Sequence, residues 1–329
     1  MRFSVDGWDP GYGSAFEMDE LPESSVHIDT TIERSTADWA PIPAGPDVAP
    51  PSGILFVDGV RRIDAHVWID DAAGDAAAAA ERAVAGICAS YAAGVVCCCK
   101  EGAHTLGAEV RRGLFTAARS ATHIGTGAGI FTLHRAVASA DTPTSASLSN
   151  ALQKALTDLE VTVAVEARAA VAAHGVGEDN LLVVDGPLRR RAHLPRVIGY
   201  IKTHHAQYLP PDLNAVVANL HTGDRTPVFM IDTGWDRYSW YLRLPCLPGG
   251  PWTGIVRVEA APTLDLSEAV ALAAMSQQLL GRYASVEYKD GRAPQNLAPI
   301  AGLEKDLKHR LGYAPLIYRW LRASASARP

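Results

Sequence analysis

The sequence predicts an α/β fold in which a mixed β-sheet is flanked by helices. Continuous apolar runs, typical of strands buried on both faces, end at Val57 and at Val184. A stretch with helical spacing over residues 149–173 lies between them. Strands come early and together, and again after that helix, which favours a mixed sheet over a doubly wound parallel one.

The N-terminal residues 1–50 are rich in Gly, Pro and Asp and predict an extended arm. Residues 53–57 predict a central strand, and the following Asp58-Gly59 pair predicts a tight turn into a second strand over 61–69. The next expected elements are a helix over 76–89, a strand over 94–99 and a helix over 107–118.

The second half of the chain continues the mixed pattern. After the helix over 149–173, the expected strands cover 181–184, 197–202, 228–231, 238–243 and 253–259, and the expected helices cover 213–220, 267–280 and 303–311. We expect residues 51–315 to form one domain and residues 316–329 to form a C-terminal tail.

The composition indicates a globular protein. Of 329 residues, 48% are hydrophobic and 20% are charged, and 36 acidic against 30 basic residues give a net charge of -6. This balance argues against a protein that coats nucleic acid, but not against a nuclease with a local basic channel.

The cysteines indicate a reducing compartment. There are five, three of them consecutive at 97–99, with no CxxC pair and no signal peptide, so we expect a cytoplasmic protein. Three consecutive side chains on a strand cannot all meet one metal, which argues against a zinc site. The Ala-rich stretch 71–93 carries charged residues and is not expected to span a membrane.

Two Asp-Gly pairs stand in matching places. Asp58 and Asp185 each end a buried apolar run, where a carboxylate projects into a cleft instead of the core. An Asp-Gly pair after a strand is also typical of an ordinary turn. A third acid comes from the helix over 149–173, whose apolar stripe places Glu166 on the buried face, with Glu160 at its edge as the reserve candidate. Pairing of Glu166 with an arginine, or a place at the rim, is the alternative.

This order, strand Asp, helix Glu, then strand Asp, resembles the order of carboxylates in RNase H-like nucleases. Converging carboxylates bind hard cations through oxygen, and two Mn²⁺ or Mg²⁺ ions promote phosphodiester cleavage.

Longer motifs make the resemblance more specific. Residues 55–60 read LFVDGV, residues 181–188 read LLVVDGPL, and residues 197–202 read VIGYIK. With YLRLP over 241–245 and GIVRVE over 254–259, residues 50 to 310 resemble the NurA family of DNA-end-processing nucleases.

The resemblance implies an RNase H-like fold, Mn²⁺- or Mg²⁺-dependent cleavage of single-stranded DNA and of DNA ends in repair, and a homodimer that works with a HerA-type hexameric translocase. It implies Asp58, Asp185 and a helix glutamate as metal ligands. Lys202 matches the basic residue on the strand after the second aspartate, where it contacts phosphate in this interpretation or is a solvated strand-end lysine in the plainer one.

Further residues complete the expectation. Tyr288 is the candidate from the C-terminal segment, where the family usually also has a histidine that this sequence lacks. The basic run of Arg189, Arg190 and Arg191 adjoins Asp185 and is the candidate for holding the DNA backbone. Arg257 and Glu259 are expected to form a structural ion pair. The missing histidine motivates a second hypothesis, a non-catalytic adaptor or clamp of the translocase.

Overall fold

The structure is a computed structural model that describes residues 26–45, 48–71, 83–137, 142–171, 175–204 and 206–326. The chain divides into two compact units, each built from separate segments. The first unit comprises Met1–Phe56, Val96–His104 and Val171–Gly302, and the second comprises Val57–Val95, Thr105–Ala170 and Leu303–Pro329.

The described residues form the following strands and helices. The strands are β1 (His27–Asp29), β2 (Gly53–Asp70), β3 (Ala83–Cys99), β4 (Gly102–Thr116), β5 (Ile124–Thr126), β6 (Gly129–Arg135), β7 (Leu181–Asp185), β8 (Val197–Ile201), β9 (Phe229–Asp232), β10 (Asp236–Arg243) and β11 (Ile255–Ala260). The α-helices are α1 (Thr144–Val171), α2 (Pro211–Ala218), α3 (Leu266–Leu279), α4 (Ala298–Arg310) and α5 (Ala314–Ser326).

The first unit contains a mixed sheet in the order β1-β9-β10-β11-β8-β7, followed by the first residues of β2. Strands β7 and β8 are parallel, whereas β8, β11, β10, β9 and β1 pair antiparallel. Apolar side chains on one face of this sheet, including Phe56, Val183 and Trp240, form a core with α3 and the start of α4. In a second core cluster of this unit, Phe229 and Tyr241 of the sheet pack against residues of α2. Burial on both faces explains the continuous apolar runs of β7 and β11.

In the second unit the strand order is β2-β3-β4-β6-β5. Strand β6 runs parallel to β4 and antiparallel to β5, so this arrangement is also mixed. Leu114 and Phe131 from the strands pack with Ile317 and Leu321 of α5. The expectation of a mixed sheet flanked by helices is therefore confirmed.

The turn predicted at Asp58-Gly59 is wrong. Strand β2 continues through both residues for 18 residues in all. Its first eight residues are mostly buried and the rest alternate in exposure, as in a strand with one solvated face. Cross-strand pairing and burial thus override the local preference of an Asp-Gly pair for a turn.

The helices predicted over 76–89 and 107–118 are also wrong where the structure describes them. Residues 76–82 lie outside the described part, but residues from Ala83 onwards form β3, and residues 107–116 belong to β4. The small side chains of β3 are buried from Gly86 to Cys97. A strand buried on both faces has no alternation of polar and apolar residues. Its Ala-rich sequence therefore looks like that of a buried helix.

The strand predicted over 94–99 is only the end of β3, which begins at Ala83, and the other predicted strands and helices are confirmed with ends that differ by up to about five residues. Of the arm predicted over 1–50, residues 1–25 and 46–47 lie outside the described residues. The part that is described includes β1, which pairs with β9, and Glu33, whose carboxylate accepts hydrogen bonds from Arg225 at 2.8 and 2.9 Å. No helix among the described residues combines the length and apolar character that crossing a bilayer requires.

Candidate functional site

Asp185 occupies the C-terminal end of β7, beside Tyr200 of the parallel strand β8. The backbone N–H of Gly186 donates to the carbonyl of Tyr200 at 2.8 Å, and Gly186 has a φ of 94°, which favours glycine. The chain turns away here, and the carboxylate of Asp185 is left partly exposed at the edge of the buried strands. This is the strand-end position that the sequence predicts.

Lys202 lies against this carboxylate. Its Nζ atom donates to Asp185 Oδ2 at 2.7 Å, with side-chain exposures of 14% for Lys202 and 15% for Asp185. Lys202 Nζ also donates to Asn296 Oδ1 at 3.0 Å, and Asn296 Nδ2 donates to Asp290 Oδ2 at 2.7 Å. The ammonium group is therefore fixed by two oxygen acceptors in a mostly buried place, where the loss of its carboxylate partner would leave an uncompensated charge.

Tyr200 closes the inner side of this network. Its hydroxyl donates to the carbonyl of Gln295 at 2.6 Å. Burial, followed by the charge of Asp185, raises the pKa of Tyr200 well above its usual value. The phenol therefore stays protonated and holds the segment that carries Asn296 against β8.

A cavity of about 350 Å³ opens beside Asp185, lined also by Lys202, His204, Tyr208 and Arg257. The Arg257 guanidinium lies 4.6 Å from the centre of the Tyr208 ring. A pocket with one carboxylate, two cationic side chains and an aromatic wall suits an anionic ligand whose charge is balanced by the two cationic side chains.

Arg257 is mostly buried and held by Glu259. Its Nη2 atom lies 3.1 Å from Glu259 Oε1, which confirms the ion pair expected from the sequence. Glu259 also accepts from Arg237 Nε at 2.7 Å and from the backbone N–H of Leu188 at 3.0 Å. Arg257 Nη1 is buried and has no hydrogen-bond partner among the described residues. A buried donor without a partner is unfavourable, and a small rotation of the guanidinium that turns Nη1 towards the cavity would let a ligand satisfy it.

In the second unit, Asp58 is buried to 8% exposure, and its Oδ1 accepts from the backbone N–H of Gly59 at 2.7 Å. The missing side chain of Gly59 makes room for α1. A Cβ atom added there would lie 2.6 Å from Glu160 Oε1 and 2.7 Å from Leu156 Cδ1. By the alternation of a strand, Gly59 faces α1, and the Cβ of Asp58 points to the opposite face of β2.

The expectation for the helix glutamate needs a correction. Glu166 is exposed, whereas Glu160 is buried to 5% exposure. The buried stripe of α1 continues from Val163 to Ala167 and Val171 and leaves Glu166 on the other side. After Val163 the stripe continues with a step of four residues, to Ala167, and not with a step of three, to Glu166. Glu160, which lies one turn after the buried Leu156, is the buried carboxylate of this helix.

The other predicted residues fall in different surroundings. Arg189 and Arg190 are exposed, but Arg191 is buried to 6% exposure and donates to the carbonyl of Pro187 at 2.9 Å, so it stabilises its own loop. Tyr288 is 83% exposed, and its ring lies 5.6 Å from Lys289 Nζ.

Sequence reasoning missed Asn296, Asp290 and Gln295. Asn296 is 94 residues from Lys202 in sequence, and only the tertiary structure brings them together. The available signal was the polar Gln295-Asn296 pair between Pro294 and an apolar helix start. Both side chains are almost fully buried, which requires hydrogen-bond partners.

Comparison with known proteins gives a match of structure but not of sequence. The structure is similar to the crystal structure of the NurA nuclease from Sulfolobus solfataricus, with 11% sequence identity, a TM-score of 0.41, and coverage of 88% of this chain and 89% of that chain. The sequence motifs resemble the same family. No family model and no curated protein matches the sequence. Conclusions about activity therefore depend on the residues of the site.

Proposed function

We propose that the chain is a metal-dependent nuclease that cleaves DNA. The observation that carries the proposal is the arrangement of Asp185, Lys202 and Arg257 around one cavity. Metal-assisted hydrolysis of a phosphodiester uses a carboxylate to bind the cation and cationic side chains to bind phosphate oxygens, and the first unit supplies both kinds of group. The motif resemblance to NurA nucleases supports the same activity.

Oxygen ligands of this kind suit Mn²⁺ or Mg²⁺. We propose Asp185 as a ligand. The motif resemblance adds Asp58 and a glutamate of α1, for which Glu160 is the buried candidate, although the Cβ of Asp58 points to the face of β2 opposite α1. When bound, such ions would supply an activated water and stabilise the leaving oxygen. Asp185 Oδ2 is already occupied by Lys202 Nζ, so a cation and the ammonium group compete for this carboxylate or share its two oxygens.

The chain's own residues have separate roles in this proposal. Lys202, anchored by Asn296, holds the carboxylate of Asp185 in place and presents a positive charge to a phosphate. Arg257 Nη1 donates to a non-bridging phosphate oxygen in the cavity, while Nη2 stays with Glu259. The exposed Arg189 and Arg190 extend the positive surface and contact neighbouring phosphates.

The finer parts of the proposal rest on the motif resemblance. They are cleavage of single strands and of DNA ends in repair, action in the cytoplasm as a homodimer, and cooperation with a HerA-type translocase. Sedimentation of the purified protein, alone and mixed with such a translocase, tests both assemblies. A monomer that leaves the translocase boundary unchanged would remove the homodimer and the translocase partner from the proposal and leave the nuclease activity standing.

The activity is tested with the full chain on labelled single-stranded DNA, blunt duplex and RNA–DNA hybrid, with Mn²⁺, Mg²⁺ or a chelator. We expect metal-dependent cleavage of the DNA substrates and a loss of more than about 100-fold for Asp185→Ala, because even residues that only support metal ligands are worth 10–100-fold. Full activity of folded Asp185→Ala protein would overturn the site. DNA binding without cleavage under any condition would favour the adaptor hypothesis instead.

Two glutamates on the same helix give a matched test of the helix ligand. Glu160→Gln is expected to lower cleavage by more than about 10-fold, whereas Glu166→Gln, at an exposed position of the same helix, is expected to leave it within about 2-fold of wild type. The reverse result would restore Glu166 as the ligand. Circular dichroism of both variants verifies that α1 is intact.

A further inference from the structure

A second group of potential metal ligands lies in the first unit. Among the described residues, Cys97, Cys99 and His104 are the one set of three His, Cys, Asp or Glu side chains whose ligand atoms all lie within 4.8 Å of one another. Cys97 is buried, and Cys99 and His104 are partly exposed, so an ion can reach the group from solvent. All three belong to the ends of β3 and β4 that join at Lys100–Glu101.

The local sequence explains why these three side chains meet. Alternation along β3 places Cys97 and Cys99 on one face and Cys98 on the other, where it packs against the core. The two-residue link between the strands makes a tight hairpin, with Gly102 at a φ of 103°. In such a hairpin the residue opposite Cys97 is His104, and directly opposite side chains lie within contact distance.

We propose that Cys97, Cys99 and His104 bind one Zn²⁺ ion. Thiolate sulfur and imidazole nitrogen are the ligands that zinc prefers, and three protein ligands with a water in the fourth position make a common tetrahedral site. Zinc ligands lie about 2.0–2.3 Å from the ion, so the three ligand atoms need to approach one another by only about 1 Å. Small side-chain rotations suffice for this.

The expectation against a zinc site considered the three cysteines alone. Alternation does remove Cys98 from the group, but β4 supplies a histidine in its place. A disulfide between Cys97 and Cys99 is a poorer explanation, because residues two apart on a strand have Cα atoms about 6.6 Å apart, near the upper limit for a disulfide. All five cysteines are free in the structure.

This ligand set differs in chemistry from the carboxylates of the proposed nuclease. Sulfur and nitrogen ligands select zinc over Mg²⁺ and Mn²⁺, which prefer oxygen. The zinc proposal therefore does not depend on DNA cleavage. Zinc bound to the folded chain would link β3 to β4 and stabilise the native state by mass action.

The first experiment measures zinc binding by the reduced, chelator-treated full chain in competition with a chromogenic chelator, with excess Mg²⁺ present. We expect one Zn²⁺ per chain, and a loss of affinity of at least about 100-fold for Cys97→Ser, Cys99→Ser and His104→Gln. Cys98→Ser and Cys246→Ser are matched controls that remove a thiol outside the group, and both should bind as wild type does. Equal loss in Cys98→Ser and Cys97→Ser, or no binding by wild type, would overturn the proposal.

A second measurement needs only the wild-type chain and guards against variants that fail to fold. Cobalt added to the reduced protein should give an intense thiolate-to-cobalt absorption band, which zinc then removes. Alkylation followed by mass spectrometry should show that zinc protects Cys99 and leaves the reactivity of Cys246 unchanged. Absence of the band together with unprotected Cys99 contradicts the site, whatever the nuclease assay shows.

Discussion

The two Asp-Gly pairs look alike in sequence but occupy different structures. Asp58-Gly59 lies inside the long strand β2, whereas Asp185-Gly186 ends β7. A Cβ atom added at Gly59 would lie 2.6 Å from Glu160 Oε1, whereas one added at Gly186 would meet no atom within 4 Å. The backbone of Gly186 instead has a φ of +94°. Glycine is therefore required at the first pair for space and at the second for backbone conformation. The same dipeptide serves two unrelated physical needs.

The aspartates of the two pairs differ in a parallel way. Asp58 accepts a hydrogen bond from the adjacent backbone N–H of Gly59, an interaction that needs an oxygen but no charge. Asp185 pairs with the ammonium of Lys202, an interaction that depends on charge. The comparison predicts that substitutions of equal size will have different effects at the two pairs.

The largest effect is expected for Gly59→Ala. The added methyl group has to displace the buried Glu160 and Leu156, and overpacking of this kind destabilises a protein by about 2–3 kcal/mol. Urea unfolding gives the change in the free energy of unfolding. Gly107→Ala, in β4 of the same unit and with no atom within 4 Å of the added Cβ, is the matched control and should change it by less than about 0.5 kcal/mol. Equal destabilisation by both would break the comparison.

A somewhat smaller effect is expected for Asp185→Asn. The neutral amide leaves the mostly buried ammonium of Lys202 without its charged partner, and hydrogen bonds to charged groups are worth about 2 kcal/mol. Asp58→Asn keeps an oxygen that accepts from Gly59, so this hydrogen bond is retained and the loss at Asp58 should be the smaller of the two. Unfolding midpoints of both variants at the same pH give the difference, and a larger loss at Asp58 would contradict it.

The same contrast explains which parts of the fold were predictable. The ends of buried strands carry a local signal, the change from apolar residues to Asp-Gly, and this signal located Asp185, whereas Lys202 was found through the motif resemblance. Strand β3 has no such signal, because small apolar residues suit a helix and a strand buried on both faces equally well. The pairing of β3 with its neighbours decides between them, and pairing is a long-range property.

The candidate site shows the same limit. The sequence predicts the apolar stripe of α1, but which residues continue it beyond Val163 depends on how the helix packs. The sequence therefore favours Glu166, whereas the packing buries Glu160. Asn296 reaches Lys202 from a segment 94 residues away, which no spacing rule reveals. His104 likewise joins Cys97 and Cys99 only through a hairpin whose first strand was predicted too short and whose second was predicted as a helix.

Substitution of the second glycine tests the conformational half of the comparison. Gly186→Ala meets no neighbour, but its positive φ costs a side chain with a Cβ atom about 1 kcal/mol. The expected loss in unfolding free energy is therefore below that of Gly59→Ala although both changes add one methyl group. A loss above that of Gly59→Ala would show that space is also limiting at Gly186.

The smallest effect is expected for Gly186→Asn, which separates conformation from size. Asparagine is larger than alanine but tolerates positive φ better, because its short polar side chain bonds to the local backbone. If backbone conformation alone matters at this position, the larger residue should lose only roughly 0.5 kcal/mol, about half the loss of Gly186→Ala. If space matters, the order reverses. At Gly59, where the added atoms meet Glu160, the same pair of substitutions should give the size order, with asparagine more destabilising than alanine.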